Sequence, residues 1–487
     1  MNMMMNNDFY GESRIDKFLK IALAVMLISI PFMNLPYMKK FMGELGAQGS
    51  AYVFIFIIML VFVDMVFVKR RFYRINNISI YILMAFLVWV CISTAFNFSN
   101  IMSNTFKGRS GLEKLILQVG VLGFCILSFY CVYYIVKSNK LSMTFMRKFV
   151  TISFLICGIY SFMEVGYLLN IRVFDEALKG ISYFVNMYFR GDLYPRGVRS
   201  ICGEASYFAM FVTFAFPFIA SYIYTKKTNK NFWFVLLNVY LLILIFFSKS
   251  RIGYMMVLVQ AAMILCYGLF LSKNKRSIIN TILVAIISMV MAFGVNSLFY
   301  NRASEERVEY DRNTSSSLAL GDVYGSLNDE NNMSNVARTG LWKAATKMSL
   351  DNPIKGVGLG QYGFNVSNYI DDDTKRSDEI KNWIDPESAA WPPAFSIHFR
   401  ILAEFGFVGA ALWVILWLSI TIQCLARFIN SRFDVTGMVI ITLIAGVMMS
   451  GFNSDTFGFF PYYIVLALAM LYIKGEEFLN LKDSNLY

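Results

Sequence analysis

A single histidine stands in the chain, His398, and it belongs to a small set of residues suited to handling an anionic group. Arg199, Arg251 and Arg338 supply guanidinium groups, which stay charged and take phosphate oxygens two at a time. The imidazole of His398 is a candidate general base, because it exchanges protons near neutral pH. Glu204, in Gly203-Glu204-Ala205-Ser206-Tyr207, is a second candidate base, or an ion-pair partner for the nearby Arg199. Arg196, Tyr207, Trp342 and Arg400 flank these positions as further candidate contacts. No HExxH surrounds the histidine and the seven cysteines form no CxxC, so no metal site is expected. GxxxxGK[ST] is absent, which argues against ATP as the energy source, and no cofactor is expected. The segment Asn352-Pro353-Ile354-Lys355-Gly356-Val357-Gly358-Leu359-Gly360 is rich in glycine, yet no strand precedes it, so a dinucleotide site does not follow. Close approach of its backbone to a ligand and a simple turn both fit.

The elements that must position these residues are helices in a bilayer. Of 487 residues, 57% are hydrophobic and only 16% charged, against about 25% charged in a soluble domain. The apolar residues form continuous runs of about 17–25 residues, the length that carries a helix across about 30 Å of hydrocarbon. Backbone groups in lipid must be satisfied internally, and continuous rather than alternating runs select helices over a barrel. Twelve spans are expected, near 18–36, 51–68, 78–96, 115–136, 149–169, 202–224, 232–247, 252–271, 278–298, 397–424, 436–452 and 457–473. The fold class is therefore an all-α polytopic membrane protein, with a large loop between spans nine and ten. Three regions follow: nine spans over 1–298, a polar loop or cap over 299–396, and three spans with a tail over 397–487. Apolar residues at helical spacing predict a further helix near 172–190, lying in the membrane interface.

The net charge of +12 does not point to nucleic acid. Its lysines and arginines cluster after every second span, at Lys69-Arg70-Arg71, Lys137/Lys140, Lys226/Lys227, Lys273/Lys275 and Arg427/Arg432, so the excess marks the cytoplasmic side. Both termini fall there. Arg199, Glu204, Arg251, Arg338 and His398 then fall on the opposite face, where cations oppose the charge bias and need another reason to exist. A lipid diphosphate, with its headgroup at that depth and its tail in the bilayer, supplies one. Snorkelling to lipid headgroups supplies another.

At these residues the chain resembles the O-antigen polymerase/ligase superfamily of bacterial membrane glycosyltransferases. Arg199 through Ala209 is similar to the polymerases' Arg…Glu-Pro-Ser-x-x-Ala pattern, with Ala205 in place of proline. Ser250-Arg251-Ile252-Gly253 is similar to their Ser-Arg-x-Gly hairpin. Arg338…Trp342…Asn352-Pro353…Gly356-Val357-Gly358 resembles the loop signature. His398…Glu404-Phe405-Gly406…Gly409 resembles the entry to the following span, with Phe399 in place of the usual asparagine. The resemblance covers about 196–409 and implies a metal-independent polymerase in the inner membrane, working at its periplasmic face. Its substrates would be undecaprenyl-diphosphate-linked oligosaccharides, and membrane lipid and a chain-length regulator protein its partners. The roles carried over are Arg199, Arg251 and Arg338 on the diphosphate, His398 as base and Glu204 orienting His398 or an arginine. Two other readings stay open: a ligase that transfers glycan to lipid A core, and a flippase of lipid-linked oligosaccharides.

Overall fold

The computed structural model describes residues 13–38, 42–187, 191–194, 197–225, 231–272, 279–284, 286–287 and 333–481. Among them, regular structure is helical apart from one hairpin, Thr105–Phe106 against Arg109–Ser110. In chain order the main helices are α1 (Arg14–Ser29), α2 (Gly49–Val63), α3 (Ile78–Phe96), α4 (Gly111–Ser138), α5 (Met143–Leu168), α6 (Arg172–Val185) and α7 (Ala205–Thr225). They continue with α8 (Asn231–Ser248), α9 (Arg251–Cys266), α10 (Met333–Asp351), α11 (Ile397–Asn430), α12 (Val435–Ser450) and α13 (Phe460–Ile473). Seven of these are long and apolar enough to cross a membrane, counting the π-helical turns that extend α2 to Val68 and α9 to Leu271. The helices near 232–248, 435–450 and 460–473 are apolar but shorter. The expected span at 278–298 lies largely outside the described residues, as does the first part of the expected loop, 299–332.

Packing inverts the soluble pattern. Helix α7 is apolar all round, and α13 likewise, so both are buried along nearly their whole length. Helices α5, α8, α9 and α12 surround α7. The outer helices turn Phe56, Phe62, Ile159 and Phe270 outward as exposed apolar side chains, a surface that only hydrocarbon or another apolar partner accommodates. Capping residues set several starts. Ser13 and Asp16 form a capping box on α1, Asn77 Oδ1 accepts from Ser79 N at 2.8 Å on α3, and Asp434 caps α12. Helix α6 falls within the expected 172–190 stretch, burying Leu178 while Val173, Tyr183 and Phe184 face outward.

Two boundaries differ from the sequence reading in ways that matter for the site. Residues 201–204 form a turn, so Glu204 precedes α7 rather than lying two residues inside an apolar span. Helix α11 is broken at Gly406 (φ 65°, ψ −168°), a left-handed conformation that favours glycine. The expected straight span from 397 is therefore two helical pieces, and Phe86 touches both, Phe405 at 5.9 Å and Trp413 at 5.7 Å between ring centroids. Beyond the break, residues 407–430 still provide about 36 Å of helix. Helix α10 and the segments after it form a second apolar core, with Leu341, Met348, Tyr362, Val366 and Ile380 packed towards Ala403 of α11.

Candidate functional site

Ser250 accepts from Gly253 N at 3.3 Å and so starts α9 at Arg251. From that helix start Arg251 Nη1 donates to Asn335 Oδ1 at 3.3 Å. Asn335 and Arg338 are three residues apart on α10 and share a face, which brings the second guanidinium to the same place. Arg338 lies over the Phe395 ring at 5.0 Å and donates through Nη1 to Asn453 Oδ1 at 3.4 Å. Burial holds its pKa below the ordinary arginine value, Glu379 and then Glu204 pull it back up, and Arg251 pushes it down. Two expected diphosphate ligands and one expected acid therefore lie within one another's fields. The Glu204 carboxylate is exposed, and its Oε2 accepts from Ser206 Oγ at 3.3 Å. Tyr207, one residue further on, is 36% exposed.

The other expected residues separate from this group. Arg199 is buried, donating to the Asp192 carbonyl with its guanidinium over Tyr194 at 5.3 Å. Its acidic neighbour is Glu164 of α5, which accepts the Ser200 amide at 2.7 Å, and not Glu204 as the sequence suggested. Arg400 is buried with every nitrogen committed: Nε to Glu404 Oε1 at 3.1 Å, Nη1 to the Asp455 carbonyl at 2.8 Å and Nη2 to Gln118 Oε1 at 2.6 Å. That is a buried ion pair in which all three guanidinium nitrogens are engaged, although Glu404 Oε2 accepts no hydrogen bond among the described residues. Arg196 lies outside the described residues.

His398 is occupied on both ring nitrogens. Trp413 Nε1, which can only donate, reaches Nδ1 at 3.2 Å, so Nδ1 carries no proton and accepts. Nε2 must then hold the proton and give it to the Met448 carbonyl at 3.0 Å. In this conformation neither nitrogen is free to take a proton from a hydroxyl. The ring packs on Phe452 at 4.6 Å, and Phe452 in turn meets Trp342, which stacks on Phe399 at 5.1 Å and 9°. Phe399, which replaces an amide in the pattern, thus builds an aromatic wall with Trp342.

The glycine-rich segment approaches protein backbone. Val357 N and Gly358 N donate to the carbonyls of Ala403 and Glu404 at 3.1 and 2.8 Å, and Phe407 N returns a bond to the Pro353 carbonyl at 2.8 Å. A Cβ on Gly356 would strike the Glu404 and Ala403 carbonyls, and one on Gly406 those of Ile354 and Pro353. The segment is a strap that holds the break in α11 open, and Ser93, Asn97 and Trp89 of α3 and its end donate to the neighbouring carbonyls of Lys355, Gly356 and Phe405.

Sequence reasoning missed Asn335, Asn453 and Trp413. Two are neutral amides, which charge patterning passes over; only the i,i+3 spacing of Asn335 and Arg338 was visible. Residues 236–414 match a family model described as O-antigen ligase. That stretch takes in Arg251, Arg338, Trp342 and His398, while Arg199 and Glu204 precede it. No curated protein matches the chain.

Proposed function

We propose that this chain, which belongs to the O-antigen ligase/polymerase superfamily through residues 236–414, polymerises undecaprenyl-diphosphate-linked repeat units at the periplasmic face of the inner membrane. The observation that carries this reading is the meeting of Arg251 and Arg338 beside the exposed carboxylate of Glu204. In the reaction, the bond between the sugar's anomeric carbon and the diphosphate oxygen breaks. A hydroxyl of the incoming lipid-linked unit forms the new glycosidic bond and gives up its proton, and the lipid diphosphate departs with the electron pair. The two guanidinium groups stabilise the charge that grows on the leaving diphosphate. Glu204 is the proton acceptor this geometry favours, since its carboxylate is exposed while His398 is hydrogen-bonded at both nitrogens. The expected topology of twelve spans with both termini in the cytoplasm supports an outer-face position for this group, where flipped lipid-linked units would be presented.

The test is polymer formation by the purified protein in lipid nanodiscs supplied with lipid-linked repeat unit. Arg251→Ala and Arg338→Ala are each expected to lower the rate by about 10²–10³-fold, the loss typical of removing one donor to a developing charge. Lys343→Ala, exposed on the same helix as Arg338, should leave it unchanged. Normal rates in both arginine variants sink the diphosphate assignment. Transfer to lipid A core with no polymer converts the reading to ligase.

A further inference from the structure

We propose that Asn453 is a positioning residue, whose neutral carboxamide fixes the Arg338 guanidinium while leaving its charge unspent for the diphosphate. The inference rests on the diphosphate reading above and concerns how that site is kept ready. The contrast lies within the chain. Arg400 is held by a carboxylate, Glu404, and its charge is consumed there. Among the described residues Arg338 has no carboxylate at ion-pair distance. It is held by the Asn453 carbonyl oxygen and the face of Phe395, two partners that orient a cation without neutralising it.

Asn453 is built to present that oxygen. It is 5% exposed, in the link between α12 and α13, and its backbone N–H donates to the Ser450 carbonyl at 3.0 Å. Its Nδ2 rests on the Met210 sulfur of α7 at 3.2 Å. An NH₂ group suits that soft acceptor, so the oxygen is left to face the arginine. Helix α7 thereby sets the amide's orientation, and the same helix begins beside Glu204.

Aspartate is isosteric with asparagine and would hold the guanidinium by a stronger, charge-assisted bond. A purely structural role is therefore preserved in Asn453→Asp, whereas the proposed role is destroyed. In nanodiscs, Asn453→Asp is expected to keep or raise the melting temperature while its Kd for undecaprenyl diphosphate rises at least about tenfold, the worth of one charged hydrogen bond. Asn453→Leu keeps the volume and the free charge but loses the anchor. Its Kd should stay within about threefold of wild type while kcat falls about 10–100-fold through misplacement. If wild type itself shows no affinity for undecaprenyl diphosphate, the diphosphate reading fails and takes this inference with it. If wild type binds and Asn453→Asp binds equally well, only the role of Asn453 is overturned. Should Asn453→Asp not fold, the leucine variant decides: an unchanged kcat overturns the proposal, and the split between kcat and Kd upholds it.

Discussion

The Trp413 indole reaches the His398 imidazole at 3.2 Å across fifteen residues of α11, a separation that a straight helix would hold about 22 Å apart. The break at Gly406 folds the first two turns back along the rest, and that fold fixes the tautomer of the chain's one histidine. A residue that sequence marks as the obvious base is thus delivered to the site with its lone pair already in use.

The assignment of the base follows from that contact. Glu204→Gln is expected to slow polymerisation by about 10²–10⁴-fold, the contribution of a positioned base. Trp413→Phe keeps the aromatic packing but frees Nδ1, and should cost about 1 kcal/mol of stability with little change in rate. Initial rates and thermal melts on the purified variants measure both. Should Trp413→Phe run faster than wild type while Glu204→Gln stays active, the base is His398.

Arg338→Lys should expose the burial of that site as a pH dependence. Burial already holds the Arg338 pKa below its ordinary value, but arginine starts so high that its charge survives. A lysine starts from about 10.4 and is displaced downward by the same desolvation. A lowered pKa on a cation means the charge is present at low pH and lost as pH rises through it. The variant should therefore keep more of its activity at about pH 6.5 than at about pH 9, while wild type shows no such alkaline loss. Parallel profiles for the two proteins would show that the site is as wet as bulk solvent.

Gly406→Ala places a Cβ against the Ile354 and Pro353 carbonyls at a positive φ, and is expected to cost about 2–4 kcal/mol. The same change at Gly120, where a Cβ meets nothing within 4 Å, should be neutral or favourable by up to about 1 kcal/mol. Melting temperatures in detergent compare the two. Equal stability would mean that the break in α11 relaxes without the strap.

Orientation in the membrane is tested by single cysteines in a cysteine-free background. Asp385→Cys and Thr144→Cys both sit at exposed positions. An impermeant thiol reagent added to intact spheroplasts should label the first and spare the second. The opposite pattern would put Arg251 and Arg338 on the cytoplasmic side and remove their access to flipped substrate.

Seven of the expected spans were legible as long apolar helices because length and apolar continuity are what a bilayer demands of a helix; α3, α7 and α9 start within about three residues of where the runs place them. Charge was legible too, and it led to Arg251 and Arg338. Glu204 was found but misplaced, since hydropathy windows do not see that residues 201–204 turn before α7 begins. Glycine-rich composition marked the 352–360 segment, but not its partner, because backbone pairing carries no side-chain signature. The occupied state of His398 was illegible for the same reason: it depends on a reversal at Gly406 that only the distant strap makes affordable.

That strap also divides the segment between α10 and α11 into two parts with different freedom to change. Residues 353–360 and 403–407 meet main chain to main chain, so Gly356 and Gly406, where a Cβ would strike the facing backbone, have little freedom to change. Residues 371–385 carry local ion pairs such as Lys375–Asp372 and Lys381–Asp378, on exposed side chains, and owe nothing to the membrane helices for their charge balance. The chain therefore has a natural seam for building chimaeras. A foreign segment joined between 370 and 386 would inherit the broken helix and its strap, and would have to restore the Ile380 contact with the second apolar core and the Glu379 charge near Arg338.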